Sequence, residues 1–587
     1  MMFFKLIAFF LSLFLGLVAK DNFHKVEVRE GTLFFENGDE VALWGVNFQP
    51  PMSSEYYEMK SRALFSPFNM EAYKKMIDES FDQLEFIGVD VIRIHLTPAD
   101  FSDENGRLVE NEWLETLDYT LAEATRRGIY IYLALMNDFG WAVEHSFGRK
   151  YPKKEWMFVP EAIIAGERYM KSLLNRKNPY DQDRLYKDNP AWVIVEPINE
   201  PMFYSREEVS EKSPNIEKVY QQWLGIRGSE DSLVEYDHFR YEFTRAYINR
   251  ILEVFENEKI NPIVSWSLNW PRDREWTGDF PFQAAAESES RVFSFSLYPG
   301  QSETPKWPEN SIDHSHTNFF SYFKRVIQDP LYHGWMLEDR FKNKQARIVY
   351  EFEPWSNQNP YIYPLMAKVF RCLGAQVATM WTYRLSGYAE YFSGTHNLNL
   401  KTTPQKMASF ILAGEIFKKM PRFEKFKTTT DDEDNLDYAY LSYSKRLAWY
   451  WDDKTLIHSG DFSMNSSNLE ELPDQIVGYG DSPWIQYQGK GLYRLQKLTN
   501  QKTPTWELTI LPHAKPLSNH WDRIEFAAGG KTVDLDYKTK ASFRIRTAKS
   551  GKNYFISSLL EKNSEAEKIG NFSEFIVQPG NYRIYEN

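Results

Sequence analysis

From Val41 to about residue 420, short apolar runs alternate with segments in which apolar residues recur every three or four positions. The runs are 41–46, VDVIRIHL (89–96), IYIYLALM (129–136), WVIVEPI (192–198), PIVSWSL (262–268), VFSFSLY (292–298), RIVYEF (347–352) and QVATMWTY (376–383). Each is short and rich in β-branched or aromatic residues, which predicts a buried strand. Between the runs, EAYKKMIDESFDQLEFIG sets Tyr73, Met76, Ile77, Phe81 and Leu84 on one helical face. NEWLETLDYTLAEATRRG does the same with Leu114, Leu117, Leu121 and Ala124. In FIGVDV, RRGIYI and CLGAQV a glycine follows the last helical turn and a strand follows the glycine. Glycine closes a helix in the left-handed conformation at little steric cost, so Gly88, Gly128 and Gly374 read as joints of one repeated unit. Upstream, KVEVREGTLFFENGDE predicts a short hairpin.

Buried strands separated by helices predict a parallel sheet covered on its outer face. Eight such units predict a closed (β/α)8 barrel, in which the loops after the strand C-termini build the active site. Three of those loops, 138–160, 299–317 and 384–400, are long and rich in aromatic residues. Past residue 425 the texture changes. TTTDDEDN (428–435) reads as a solvated acidic linker, and RLAWYWDD, GLYRLQKL, TWELTIL, ASFRIRTA and NYRIYEN then alternate between turn-forming residues. The expected organisation is a catalytic barrel over 20–425 and one or two β-sandwich modules over 426–587.

The first residues change the picture of location. MMFFKLIAFFLSLFLGLVAKD carries Lys5, then an unbroken apolar run to Ala19, too short for a comfortable membrane span. It reads as a secretory signal over 1–19, the alternative being an uncleaved anchor. The expected destination is secreted, periplasmic or cell-surface. Cys372 is the one cysteine among 587 residues, so no intrachain disulfide forms and a site of several thiolates is ruled out. A net charge of −13 argues against nucleic acid or an anionic membrane as partner. The 18 Trp and 35 Tyr exceed what a core alone needs, and aromatic faces suit sugar rings. The chain is read as a monomer.

Two strand ends carry acids. VIVEPINEP places Glu196 inside an apolar run and Asn199 and Glu200 where the run stops; RIVYEFEPW ends in Glu351, with Glu353 two positions on. An ionised carboxylate buried without partners costs several kcal/mol. Glu196 therefore needs a cation, and Arg93 of VIRIHL is the candidate, since a guanidinium binds a carboxylate bidentately. Glu196 and Glu353 read as ion-pair residues. Two carboxylates at one barrel mouth, from strands four and seven, are what glycosidic bond cleavage requires: one protonates the leaving oxygen, the other attacks or activates water.

With those residues in view, the chain resembles the clan of retaining (β/α)8 glycoside hydrolases that includes glycoside hydrolase family 5, the cellulase and β-mannanase family. The resemblance covers about residues 40–420, and LLNRKNPYDQDRLYKDNPAWVIVEPINEP is especially similar to family 5 members. It implies Glu200 as acid/base after Asn199, and Glu351 as nucleophile. It further implies Arg93 and Tyr298 as supports of the nucleophile and Trp381 as the floor of the subsite for the reacting sugar. The chain departs from the family pattern at Ser296, where a His is common, and at the end of strand three, which offers Asn137 and Asp138; His95 takes part of that work. On this reading Asn199 donates to the sugar 2-hydroxyl.

Other features weigh less. His314 and His316 in DHSHT have the spacing of a metal pair but sit in a polar loop, and read as solvated or rim residues. Trp270, with Trp266 and Trp141, is either a stacking platform at the mouth or core. No metal or other cofactor is called for. The expected activity is a retaining β-glycoside hydrolase acting on a β-linked polysaccharide or oligosaccharide. The rivals are an exo-acting glycosidase, closed at one end by the long loops, and a non-catalytic sugar-binding protein on a barrel scaffold.

Overall fold

The computed structural model describes residues 23–61, 69–268, 278–300, 313–342, 344–354, 357–392, 396–463, 472–499, 501–517, 531–546, 554–558, 564–565, 567–569 and 572–586. Residues 1–19, read above as a secretory signal, Trp270 and parts of the loops 299–317 and 384–400 lie outside the described residues.

After a hairpin of Val26–Arg29 and Thr32–Phe35, turning through Glu30 and Gly31, the barrel strands follow in chain order. They are Leu43–Phe48, Val91–His95, Tyr130–Ala134, Trp192–Glu196, a divided fifth strand, Val292–Leu297, Ala346–Phe352 and Ala375–Tyr383. They match the eight apolar runs to within two residues at most ends. The fifth is two short pieces, Ile263–Val264 and Trp266–Ser267. The first piece pairs in parallel with strand four and the second with strand six, so one bent segment serves both of its neighbours. Between the pieces, Ser265 N donates to Val195 O (2.9 Å), and past them Leu268 N donates to Ser294 O (2.8 Å). The parallel sheet thus runs from the second piece of strand five through six, seven, eight, one, two, three and four to the first piece. This is a (β/α)8 barrel, joined by antiparallel C-terminal sheets.

Its helices begin and end as the sequence spacing predicts. Met70–Ile87 starts at Asn69, whose side chain accepts from Ala72 N, and stops at Gly88 (φ 71°), which a residue with a Cβ would strain to adopt. Gly128 and Gly374 take the same conformation.

The chain divides into two compact units: residues up to Phe295 with Asp339–Tyr350, and Ser296–Glu338 with Glu351 onward. In the second unit, helices Ile362–Cys372 and Pro404–Lys419 pack together, and the latter covers strands Leu447–Trp451, Thr455–Ser459 and Gln475–Tyr479. Those strands belong to a ten-stranded sheet. A four-stranded sheet shares a core with it: Leu456, Ile476, Leu495 and Leu508 from one sheet meet Ile485, Phe543, Ile545 and Phe575 from the other. The two sheets therefore make one sandwich. The acidic stretch 428–435 is not all linker. Its last residues enter strand Glu433–Leu436, where Asp434 is buried and accepts from Lys368 Nζ (2.5 Å). A cation from a helix more than sixty residues upstream offsets the desolvation of that carboxylate.

Candidate active site

Arg93 is the hub of the first unit. It sits in strand two, fully buried, and the apolar residues beside it in VIRIH leave the strand no other way to solvate a charge. Its Nη1 donates to Asn47 Oδ1 (2.9 Å), and its Nη2 donates to Glu196 Oε1 and to Asn199 Oδ1, both at 2.7 Å. The guanidinium also lies over the rings of Tyr132 (5.1 Å) and Tyr350 (4.9 Å). Glu196, equally buried, has its other oxygen filled by the hydroxyls of Tyr132 and Ser294, the latter at 2.9 Å. A fully desolvated ion pair is tolerable only with hydrogen bonding this extensive. Glu196 is thus an internal counter-ion.

The same guanidinium holds Asn199 by its amide oxygen, three residues past the end of strand four. The next residue, Glu200, has φ 46°, a left-handed conformation that costs a residue with a side chain on the order of 1 kcal/mol or more. That bend falls in the turn that follows strand four. Glu200 is half-buried, its backbone N–H donates to Ser267 Oγ (3.3 Å), and its Oε1 accepts from the Tyr350 hydroxyl (3.0 Å). Tyr350 is anchored in turn, its carbonyl accepting from Asn47 Nδ2 (3.0 Å).

His95 ends strand two, buried between Arg93 and Asn137, with Asn137 Nδ2 2.7 Å from its Nδ1. Burial, reinforced by the cations Arg93 and Lys153, holds its pKa well below the ordinary histidine value, so the ring is neutral. Asn137 itself accepts from Lys153 Nζ (3.1 Å), and Lys153 also lies 3.4 Å from Asp138. Arg93, His95, Asn137 and Asn199 are therefore one hydrogen-bonded set.

In the second unit, Glu351 is 5% exposed and its Oε2 accepts from the Tyr298 hydroxyl at 2.6 Å. Tyr298 stands edge-on to the ring of His396, 5.9 Å between centroids. His396 Nδ1 is 3.5 Å from Glu353, a fully buried carboxylate that accepts from Lys406 Nζ (2.7 Å). Trp381, at the seventh position of strand eight, is partly exposed. His333 Nε2 donates to the carbonyl of Ser296 (3.0 Å), the residue at which the sequence departs from the pattern it resembles.

The remaining sequence candidates take separate places. Trp266 is core, packed against Tyr247, while Trp141 is exposed. His314 is half-buried and bonded to Thr317, and His316 is exposed. Among the described residues no cluster of three or more His, Cys, Asp or Glu gathers as metal ligands. Sequence reasoning missed Asn47, Tyr132, Ser294, Tyr350 and Lys153. Asn47 carried the same signal as Glu196, a polar residue inside an apolar run, and Tyr132 alternated in phase with Tyr130. Nothing local marked Lys153 or Tyr350.

No family model matches the chain, and no curated protein matches it. Among solved structures it is similar to the endo-beta-1,4-mannanase from Thermotoga petrophila, with 13% identity and a TM-score of 0.45 over 92% of this chain and 98% of that one. It is similar also to a glycoside hydrolase family 5 mannosidase from Rhizomucor miehei (12% identity, TM-score 0.41, 68% of this chain and 98% of that). A third is the beta-mannanase from the blue mussel Mytilus edulis (15%, 0.37, 68% and 99%).

Proposed function

We propose that the chain is a retaining β-glycoside hydrolase in which Glu200 is the acid/base and Glu351 the nucleophile. The observation that carries this reading is the hydrogen bond from Tyr350 to Glu200 (3.0 Å). It holds the acid that follows strand four against the residue immediately before Glu351 in sequence, which supports assigning these two acids to one reaction.

In the proposed first step, Glu200 gives its proton to the glycosidic oxygen as Glu351 attacks the anomeric carbon. The bond to the leaving sugar breaks and an ester of Glu351 forms. In the second, Glu200 takes a proton from water, which attacks the same carbon and releases Glu351. Tyr298 orients the nucleophile through its 2.6 Å hydrogen bond. Arg93 holds the Asn199 amide by its oxygen, which turns the Nδ2 donor toward a sugar 2-hydroxyl, a contact that tightens in the transition state. Trp381 supplies the floor of the reacting-sugar subsite. Retention requires a carboxyl separation of about 5–5.5 Å. The substrate is a β-linked glycan, and the apolar first nineteen residues direct export.

The test compares the wild type with Glu351→Gln on aryl β-glycosides and a panel of β-linked polysaccharides, following the first-formed anomer by proton NMR. The reading expects retained configuration in the wild type, and binding without turnover in the variant. An inverted product, or no hydrolysis by the wild type across the panel, overturns it.

A further inference from the structure

Strand three ends at Ala134, and just beyond Asn137 the chain sets two large apolar side chains in water. Phe139 is 49% and Trp141 62% exposed. One exposed aromatic ring is unremarkable, since much of any protein surface is apolar. Two within three residues invite explanation when the backbone that carries them is clamped.

The clamp is Asp100, which lies in the short helix Pro98–Phe101 after strand two and is fully buried. Its Oδ1 accepts from Trp141 N (2.9 Å), Ala142 N (3.1 Å) and Ser53 Oγ (2.5 Å), and its Oδ2 accepts from Ser53 N (3.0 Å). Trp141 N is also 3.2 Å from Ser53 Oγ, and Val143 N donates to Ala99 O (2.8 Å). Gly140 is pressed against the same helix: a Cβ there would meet Thr97 Cγ2 at 2.5 Å and Asp100 Oδ1 at 2.7 Å. A buried carboxylate that gathers backbone N–H groups from two segments fixes the loop at a cost that solvent-exposed rings do not repay by packing.

The segment is also continuous with the candidate site. Asn137 is bonded to His95, and four residues extend at most ~14 Å, so Trp141 lies within that reach of it. Next in sequence to the rings, the Asp138 carboxylate is 38% exposed and is held 3.4 Å from the buried Lys153 Nζ, which leaves it as a fixed acceptor.

We propose that Phe139 and Trp141 form a glycan-binding subsite outside the cleavage subsite. The apolar face of a pyranose, one or more units along a β-linked chain, lies against the Trp141 indole while the Asp138 carboxylate accepts from its hydroxyls. A pre-ordered ring with a polar neighbour binds such a ligand without the entropy of ordering the loop. The assignment rests on the hydrolase reading for its ligand class and deepens it: the enzyme takes oligomers and polymers in preference to single glycosides.

Two measurements test it. Calorimetry with the Glu351→Gln protein and β-1,4-linked glucan and mannan hexasaccharides should give binding that Trp141→Ala weakens about tenfold and Trp141→Phe largely restores. On a catalytically intact background, Trp141→Ala should raise KM for whichever hexasaccharide is cleaved, with kcat little changed, and leave kcat/KM for an aryl β-monoglycoside within twofold. Trp141 is exposed, so the variant should melt as its parent does. A wild type that cleaves nothing yet binds a hexasaccharide through Trp141 sinks the hydrolase reading and keeps the subsite. Hydrolysis with KM and Kd within twofold in Trp141→Ala, or equal losses on monoglycoside and hexasaccharide, removes the subsite and leaves the hydrolase reading standing. Neither binding nor hydrolysis removes both.

Discussion

Replacing Glu196 with glutamine removes one negative charge from a place where neither partner touches water. Arg93 and Glu196 are both fully buried, their nitrogen and oxygen 2.7 Å apart. The glutamine keeps one acceptor for Arg93, and its amide nitrogen meets the hydroxyls of Tyr132 and Ser294, which rotate to accept. The hydrogen-bond count nearly survives; the counter-charge does not. Breaking a buried pair from one side costs about 3–5 kcal/mol, because the remaining ion is left desolvated and uncompensated. At about 2–4 °C per kcal/mol for a domain of this class, the melting temperature should fall by roughly 6–20 °C. Urea unfolding followed by tryptophan fluorescence gives the free energy directly. Arg93→Met with Glu196→Leu is the decisive companion, since replacing both ions by apolar groups of similar size is often neutral. That double variant should recover most of the stability but not the activity, because Asn199 has lost the donor that orients it. A single variant within about 1 kcal/mol of the wild type would refute the reasoning, as would a double variant no more stable than the single one.

Other expectations follow from the same geometry. Tyr298→Phe removes a hydrogen bond to the Glu351 carboxylate worth about 1.5–3 kcal/mol, so kcat/KM should drop roughly 10- to 100-fold and the melting temperature should fall by roughly 3–12 °C. Lys406→Met strips buried Glu353 of its ammonium partner and should cost about 3–5 kcal/mol in urea unfolding, with Lys406→Arg milder. Acid should destabilise the fold through buried histidines. Desolvation lowers His333 and His458 to about 4, below the value near 6.5 of an unfolded chain. The unfolded state therefore takes up protons first as pH falls. The stability these two rings confer is whole above pH ~6.5 and is lost toward pH ~4, each costing up to about 3 kcal/mol by then. Melts between pH 7 and 4.5 should show that slope, and His458→Gln should flatten it. An unchanged slope in that variant would remove His458 from the account.

The eight apolar runs, the helices between them and the glycine joints were legible because each is set within a window of a dozen residues. Spacing alone says which face of a helix is apolar, and a glycine after the last turn acts on its own backbone. The site acids were legible for a related reason: an ionisable residue inside or ending an apolar run is costly enough to stand out wherever it occurs, as Glu196, Glu200 and Glu351 did. The partners were not. Tyr350 reaches Glu200 across 150 positions and Asn47 reaches Tyr350 across 303, and nothing along the chain names either partner. The break of strand five at Ser265, the burial of Asp434 against Lys368 and the capture of the 139–142 backbone by Asp100 belong to the same class. Local spacing and local solvation cost determined which segments become strands and which residues are expensive. Only the closing of the barrel, which sets strand register and so decides which hydrogen-bonding groups meet after water is excluded, determined how each expense is met.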